Sequence, residues 1–93
     1  MKTISFLFSD IEHSYELKPV TSQKSFYGKA EVYVLKDGRR ILRSYQTYVA
    51  VIDADGQVYN TWGGWSATTG KHIKSFLGLN KKGYENLPSA RIC

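Results

Sequence analysis

The sequence predicts a small α+β domain: an antiparallel β-meander of three to four strands with one helix packed on one face. Three observations predict it. Two Asp-Gly pairs, Asp37-Gly38 and Asp55-Gly56, punctuate a stretch rich in valine, isoleucine and tyrosine. Gly63-Gly64 ends that stretch. Ser66 then opens a segment of helical period that stops at Gly78.

Ala30–Leu35 alternates and is valine-rich, so it reads as the first strand of the meander. Asp37-Gly38 reads as a two-residue hairpin loop, whose central positions both need positive φ. Ile41–Asp53 reads as one long strand of β-branched and aromatic residues. Asp55-Gly56 supplies the second hairpin and Gln57–Trp62 the third strand. Two-residue loops set the register. Val34 then faces Ile41, Val32 faces Arg43, Val49 faces Trp62 and Val51 faces Asn60. One face carries Val32, Val34, Ile41, Tyr45, Val49, Val51, Val58 and Trp62, and is the expected core. The other carries Tyr33, Leu42, Tyr48, Ala50, Ile52 and Tyr59.

Ser66 is the expected N-cap, because its hydroxyl can accept from a free N–H of the first turn. The helix is expected over Ala67–Leu77, with Gly78 as its stop. Thr69, Ile73, Phe76 and Leu77 form its buried stripe. Thr3–Phe8 reads as a short strand and Pro19–Lys24 as a loop. The tail from Gly83 to Cys93 reads as irregular, lying over the sheet through Tyr84 and Leu87. Residues 1–93 make one domain: an N-terminal segment 1–29, the meander 30–62, the helix 66–77 and the tail 83–93.

Thirteen basic residues stand against eight acidic ones, a net charge of +5, which favours encounter with polyanions. The single cysteine, Cys93, forms no intrachain disulfide. The apolar run Ile4–Phe8 is broken by Ser5 and followed by Asp10, too short for a signal-peptide core. No run has transmembrane length. The expected location is the cytoplasm.

Two surfaces are candidates for binding. Tyr33, Tyr48 and Tyr59, with Arg39, Arg40 and Arg43 nearby, form a candidate partner-binding face. Aromatic rings on an open sheet stack bases or anchor protein contacts. The competing reading is that the terminal segments cover this face. Ser66, Thr68, Thr69, Lys71 and Lys74 form a candidate anion site at the helix N-terminus. There the structural reading is favoured: a tight Trp62-Gly63-Gly64-Trp65 corner whose indoles fill the core while Ser66 caps. Lys81 and Lys82 extend the basic surface beyond the helix.

The chemistry of catalysis is not legible. His72 reads as a packed or hydrogen-bonded residue, and His13 has no pattern around it. Asp53-Ala54-Asp55-Gly56 opens like a calcium loop but lacks the downstream ligands, and a hairpin turn accounts for it. No residue set matches a nucleophilic triad or a paired-carboxylate site. A non-enzymatic protein with no cofactor and no metal is expected.

The strings Ser44-Tyr45-x-Thr47-x-Val49-Ala50 and Trp65-Ser66-Ala67-Thr68-Thr69-x-x-His72-Ile73-x-x-Phe76-Leu77 carry a resemblance. The chain resembles a family of short uncharacterised proteins encoded by phages and mobile elements of Gram-positive bacteria. The resemblance spans the central third and the following helix. It implies expression in the cytoplasm of an infected bacterial host and action by stoichiometric binding. The implied partner is a host defence protein such as a CRISPR effector nuclease, inhibited in the manner of an anti-CRISPR protein. The basic charge argues against mimicry of duplex DNA. The alternative is a nucleic-acid-binding accessory protein of a phage or mobile element.

Overall fold

The computed structural model describes residues 2–17 and 29–92. It contains β1 (Lys2–Ile4), a 3-10 turn (Phe8–Asp10), β2 (Ile11–Glu16), β3 (Ala30–Leu35), β4 (Arg40–Ser44), β5 (Thr47–Ile52) and β6 (Val58–Asn60). Helices α1 (Ala67–Leu77) and α2 (Lys81–Glu85) and strand β7 (Ala90–Ile92) complete it. β2 to β6 form a five-stranded antiparallel sheet in chain order, with α1 packed on one face. The expected α+β class is what the chain adopts. The expected strand Ile41–Asp53 is divided into β4 and β5 by a turn at Tyr45-Gln46. In place of a strand over Thr3–Phe8 stand β1 and the 3-10 turn. The loop expected at Pro19–Lys24 lies outside the described residues, as does Cys93.

Both Asp-Gly hairpins close through three residues, not two. Gly38 N donates to Leu35 O (3.0 Å) and Leu35 N to Arg39 O (2.8 Å). Gly56 N donates to Asp53 O (3.0 Å) and Asp53 N to Gln57 O (2.8 Å). In each turn only the glycine is left-handed, with φ of 97° at Gly38 and 91° at Gly56. This is a turn followed by a glycine bulge, the common three-residue solution. The aspartates have matching jobs: Asp37 Oδ1 accepts from Arg39 N and Asp55 Oδ1 from Gln57 N, each at 3.0 Å.

The extra loop residue slips each register by one. Val34 pairs with Arg40 and Val32 with Leu42, while Val51 pairs with Tyr59 and Ala50 with Asn60. A one-residue slip exchanges faces, so the expected division of side chains is corrected. Ile41 and Val51 share the tyrosine face, and Leu42 and Ala50 turn to the other side. Val49 is the extra residue of a bulge between Leu42–Ala50 and Arg43–Tyr48. That bulge lets consecutive Val49 and Ala50 both enter the same core.

Two cores result, one on each face. The first holds Leu17, Ala30, Val32, Leu42, Val49, Ala50, Ile73 and Tyr84 beneath the helices. α1 has the expected bounds: Ser66 Oγ accepts from Thr69 N (3.1 Å), and Gly78, at φ 74°, ends it. The expected irregular tail is instead α2, capped by Asn80 (Oδ1 accepting from Gly83 N, 2.9 Å), followed by β7. α2 drives Tyr84 into the first core, 1% exposed, where its hydroxyl donates to Val49 O (2.6 Å) and Trp62 O (3.0 Å). Burial pushes the Tyr84 hydroxyl up to about 12.

The second core is covered by strands. β1 and β7 pair in parallel, Lys2 with Ala90 and Ile4 with Ile92. This ribbon lies over the tyrosine face, burying Ile4 and Ala90 against Tyr33, Leu35, Ile41 and Val51. A parallel bridge from Asn60 to Ser89 ties it to β6. Among the described residues no helix is long and apolar enough to cross a membrane.

Candidate functional site

The three tyrosines do share a face, but the face is not open. Tyr33 is 9% exposed, and Tyr48 and Tyr59 are half-buried. Phe6 meets the Tyr48 ring edge-on, with centroids 5.7 Å apart. Lys2 Nζ stands 5.0 Å from the Tyr59 ring and pairs with Asp53 at 2.7 Å. The open phenol platform expected from the sequence is therefore absent, because the two chain ends meet above it. Two of the three arginines are also engaged. Arg39 bonds Asp37 Oδ2 (2.7 Å) and Ser5 O (3.0 Å), and Arg43 donates to the Tyr33 hydroxyl (3.3 Å). Arg40 is exposed on the opposite face.

The helix N-terminus is a packed corner. Ser66 is committed to the cap, Thr69 is buried and Thr68 is half-buried, while Lys71 and Lys74 are exposed. The indoles explain the local glycines. A Cβ at Gly64 would lie 2.7 Å from Trp62 Cζ2, and one at Gly70 would lie 2.5 Å from Trp65 Cζ2. Beneath this corner Ser44 Oγ bonds Thr69 Oγ1 (2.9 Å) and His72 Nδ1 (2.8 Å). His72 is fully buried and Ser44 is 2% exposed. This serine–histidine contact links sheet to helix and has no opening to a substrate.

The open surface lies at the β4–β5 end of the sheet. Tyr45 occupies the turn there with φ 55°, the one non-glycine left-handed residue among those described. Such a conformation costs roughly 1–2 kcal/mol for a residue with a Cβ. Its N–H donates to Lys29 O (2.6 Å) and its ring, 46% exposed, stands 6.0 Å from the His72 ring. Three recesses adjoin along this end. Arg43 and Tyr45 line one with Gln46 and Thr47. Gln46 and Thr47 continue into a second of about 510 Å³, walled by Tyr48, Trp62, Arg91 and Ile92. Tyr48 and Ile92 continue into a third with Phe6 and Phe8. Phe8 is 75% exposed. The Arg91 guanidinium makes no hydrogen bond or ion pair among the described residues. Among the described residues no carboxylate, imidazole or thiol lines these three recesses.

Sequence reasoning missed Tyr45, Trp62 and Arg91 as neighbours. One signal was present: an expected strand of Ile41–Asp53 is far longer than the usual five or six residues, so a hidden turn was owed. Arg91 had no local signal, because β7 reaches the site through long-range pairing.

These features define a small α+β domain with a mixed aromatic and cationic recess at one end of its sheet. The chain belongs to a family of unknown function (DUF8033), whose match covers residues 15–92. No match to a curated protein or to a solved structure was found. β1 and the 3-10 turn lie outside the family match, whereas β7 lies within it.

Proposed function

We propose that this protein is a non-enzymatic binding protein that acts stoichiometrically through the β4–β5 end of its sheet. One observation carries the reading. The adjoining recesses there combine exposed aromatic rings, hydroxyl and amide groups and two arginines, and among the described residues they are lined by no carboxylate, imidazole or thiol. That set recognises and does not transform. Tyr45 adds support, since a strained backbone that keeps a bulky ring at the surface points to a use for the ring.

The partner we propose is a bacterial defence nuclease, with a CRISPR effector as the first to test. This target class rests on the sequence resemblance to phage and mobile-element proteins. The cationic character of the recess suits a ribonucleoprotein, whose surface is anionic where nucleic acid emerges. The test is titration of a purified CRISPR effector nuclease with the protein. The expected result is loss of cleavage with an equimolar end point, and restored cleavage with Arg91→Glu. Cleavage that survives a large molar excess would exclude that partner, and inhibition insensitive to Arg91→Glu would exclude this surface.

A further inference from the structure

We infer that the recesses at the β4–β5 end hold a single-stranded nucleic acid. This rests on the binding role proposed above and names the component of the partner that is contacted. The argument is the repetition along the surface. One recess pairs an aromatic ring with an arginine, Tyr45 with Arg43, and the next does the same with Trp62 and Arg91. Phe8 then supplies a further exposed ring in the third. A ligand that alternates planar and anionic groups meets this pattern; a single strand of bases and phosphates does so at every residue. An acidic peptide would satisfy the arginines and leave the rings unused. A duplex keeps its base faces stacked inside and offers only its backbone and groove edges, on which rings cannot stack.

The charge sign agrees. Among the described residues no carboxylate lines the three recesses to repel a phosphate. The Arg91 guanidinium is uncommitted among the described residues, so binding a phosphate breaks no existing pair. The Arg43 bond to Tyr33, at 3.3 Å, is long for a charged donor and yields easily.

The experiment is fluorescence anisotropy with labelled oligothymidylate and oligouridylate strands at low salt, beside a duplex of mixed sequence. Saturable binding to the single strands and weaker binding to the duplex are expected. Tyr45→Gly should weaken single-strand binding by roughly 5- to 150-fold, the usual worth of one stacked base, while raising Tm. Arg91→Gln should flatten the slope of log K against log salt by about 0.7, one single-strand phosphate contact. Lys81→Gln removes the same charge from the helical layer and should leave the affinity near that of the parent. Absence of single-strand binding overturns the inference. So does binding that Lys81→Gln weakens as much as Arg91→Gln, or that Tyr45→Gly leaves intact. If the oligonucleotides do not bind while Arg91→Glu still relieves nuclease inhibition, this inference falls and the binding role stands. If both fail, both fall.

Discussion

The two faces of the central sheet are covered by different means. On one, α1 and α2 lie over Val32, Leu42 and Ala50. Their ends are specified by residues next to them in the chain: Ser66 and Gly78 for α1, Asn80 for α2. On the other, β1 and β7 meet across almost the full length of the chain and lie over Tyr33, Ile41 and Val51. Part of that cover, β1, falls outside the family match. A locally encoded cover has its bounds set by its own capping signals and needs only the sheet beneath it to be stable. A cover made by pairing two distant segments depends on both arriving, and its loop-closure cost is met only in the complete fold. The helical side should therefore behave as the stable core and the ribbon as the first element to open.

The largest expected effect tests the helical side. Tyr84→Ala removes the ring that plugs the first core and its two hydrogen bonds, and should cost about 3–5 kcal/mol in denaturant unfolding. A loss under 1 kcal/mol would show that α2 is not integral to that core. Ile4→Ala tests the ribbon and should cost about 2–5 kcal/mol. Its distinguishing sign is loss of amide protection in β1 and β7 before the five-stranded sheet. Uniform loss across all strands would make the two covers equivalent.

Gly70→Ala sets propensity against packing. In an open helix the change would stabilise by about 1 kcal/mol. Here the new methyl meets the Trp65 indole, so a net cost of about 1–3 kcal/mol is expected. A rise in Tm would mean that the indole moves freely.

Tyr84→Phe should cost about 1–3 kcal/mol by removing the hydroxyl that donates to Val49 O and Trp62 O, of which Val49 O keeps only the longer bond from Thr61 N (3.2 Å). The folded hydroxyl titrates near 12, above the ordinary value near 10. Its contribution is complete below about pH 10 and is lost as pH rises towards 12. The phenylalanine variant should lack that part of the alkaline transition, read by circular dichroism against pH. Tyr45→Gly is the smallest stability effect and has the opposite sign: a gain of about 1–2 kcal/mol from relief of the left-handed backbone. No gain would remove the strain argument for that side chain.

Much of the helical side was legible in the sequence and much of the ribbon side was not. Ser66 and Gly78 announce their roles because a cap needs only neighbours within one turn. Ile4 and Ala90 announce nothing, because each is an ordinary apolar residue until the other is beside it. The grouping of Tyr33, Tyr48 and Tyr59 on one face was readable from alternation. Their cover was not. Tyr45 was hidden by composition: Ser44-Tyr45-Gln46-Thr47 contains neither glycine nor proline, so only the excessive length of the β-rich run hints at a turn, and no residue marks its place.

The chain's own order of residues determined the two reversals at its Asp-Gly pairs and where its first helix begins and ends. Those choices depend on a few adjacent dihedrals and the hydrogen bonds they permit. Only the tertiary structure decided which side chains face which core. An Asp-Gly pair serves a two-residue loop and a three-residue loop equally well, since both place glycine at positive φ. The choice between them shifts pairing by one residue and inverts both faces of the sheet. Packing makes that choice: with the longer loop, Ile41 and Val51 meet Ile4 and Ala90, and Leu42 and Ala50 meet Ile73.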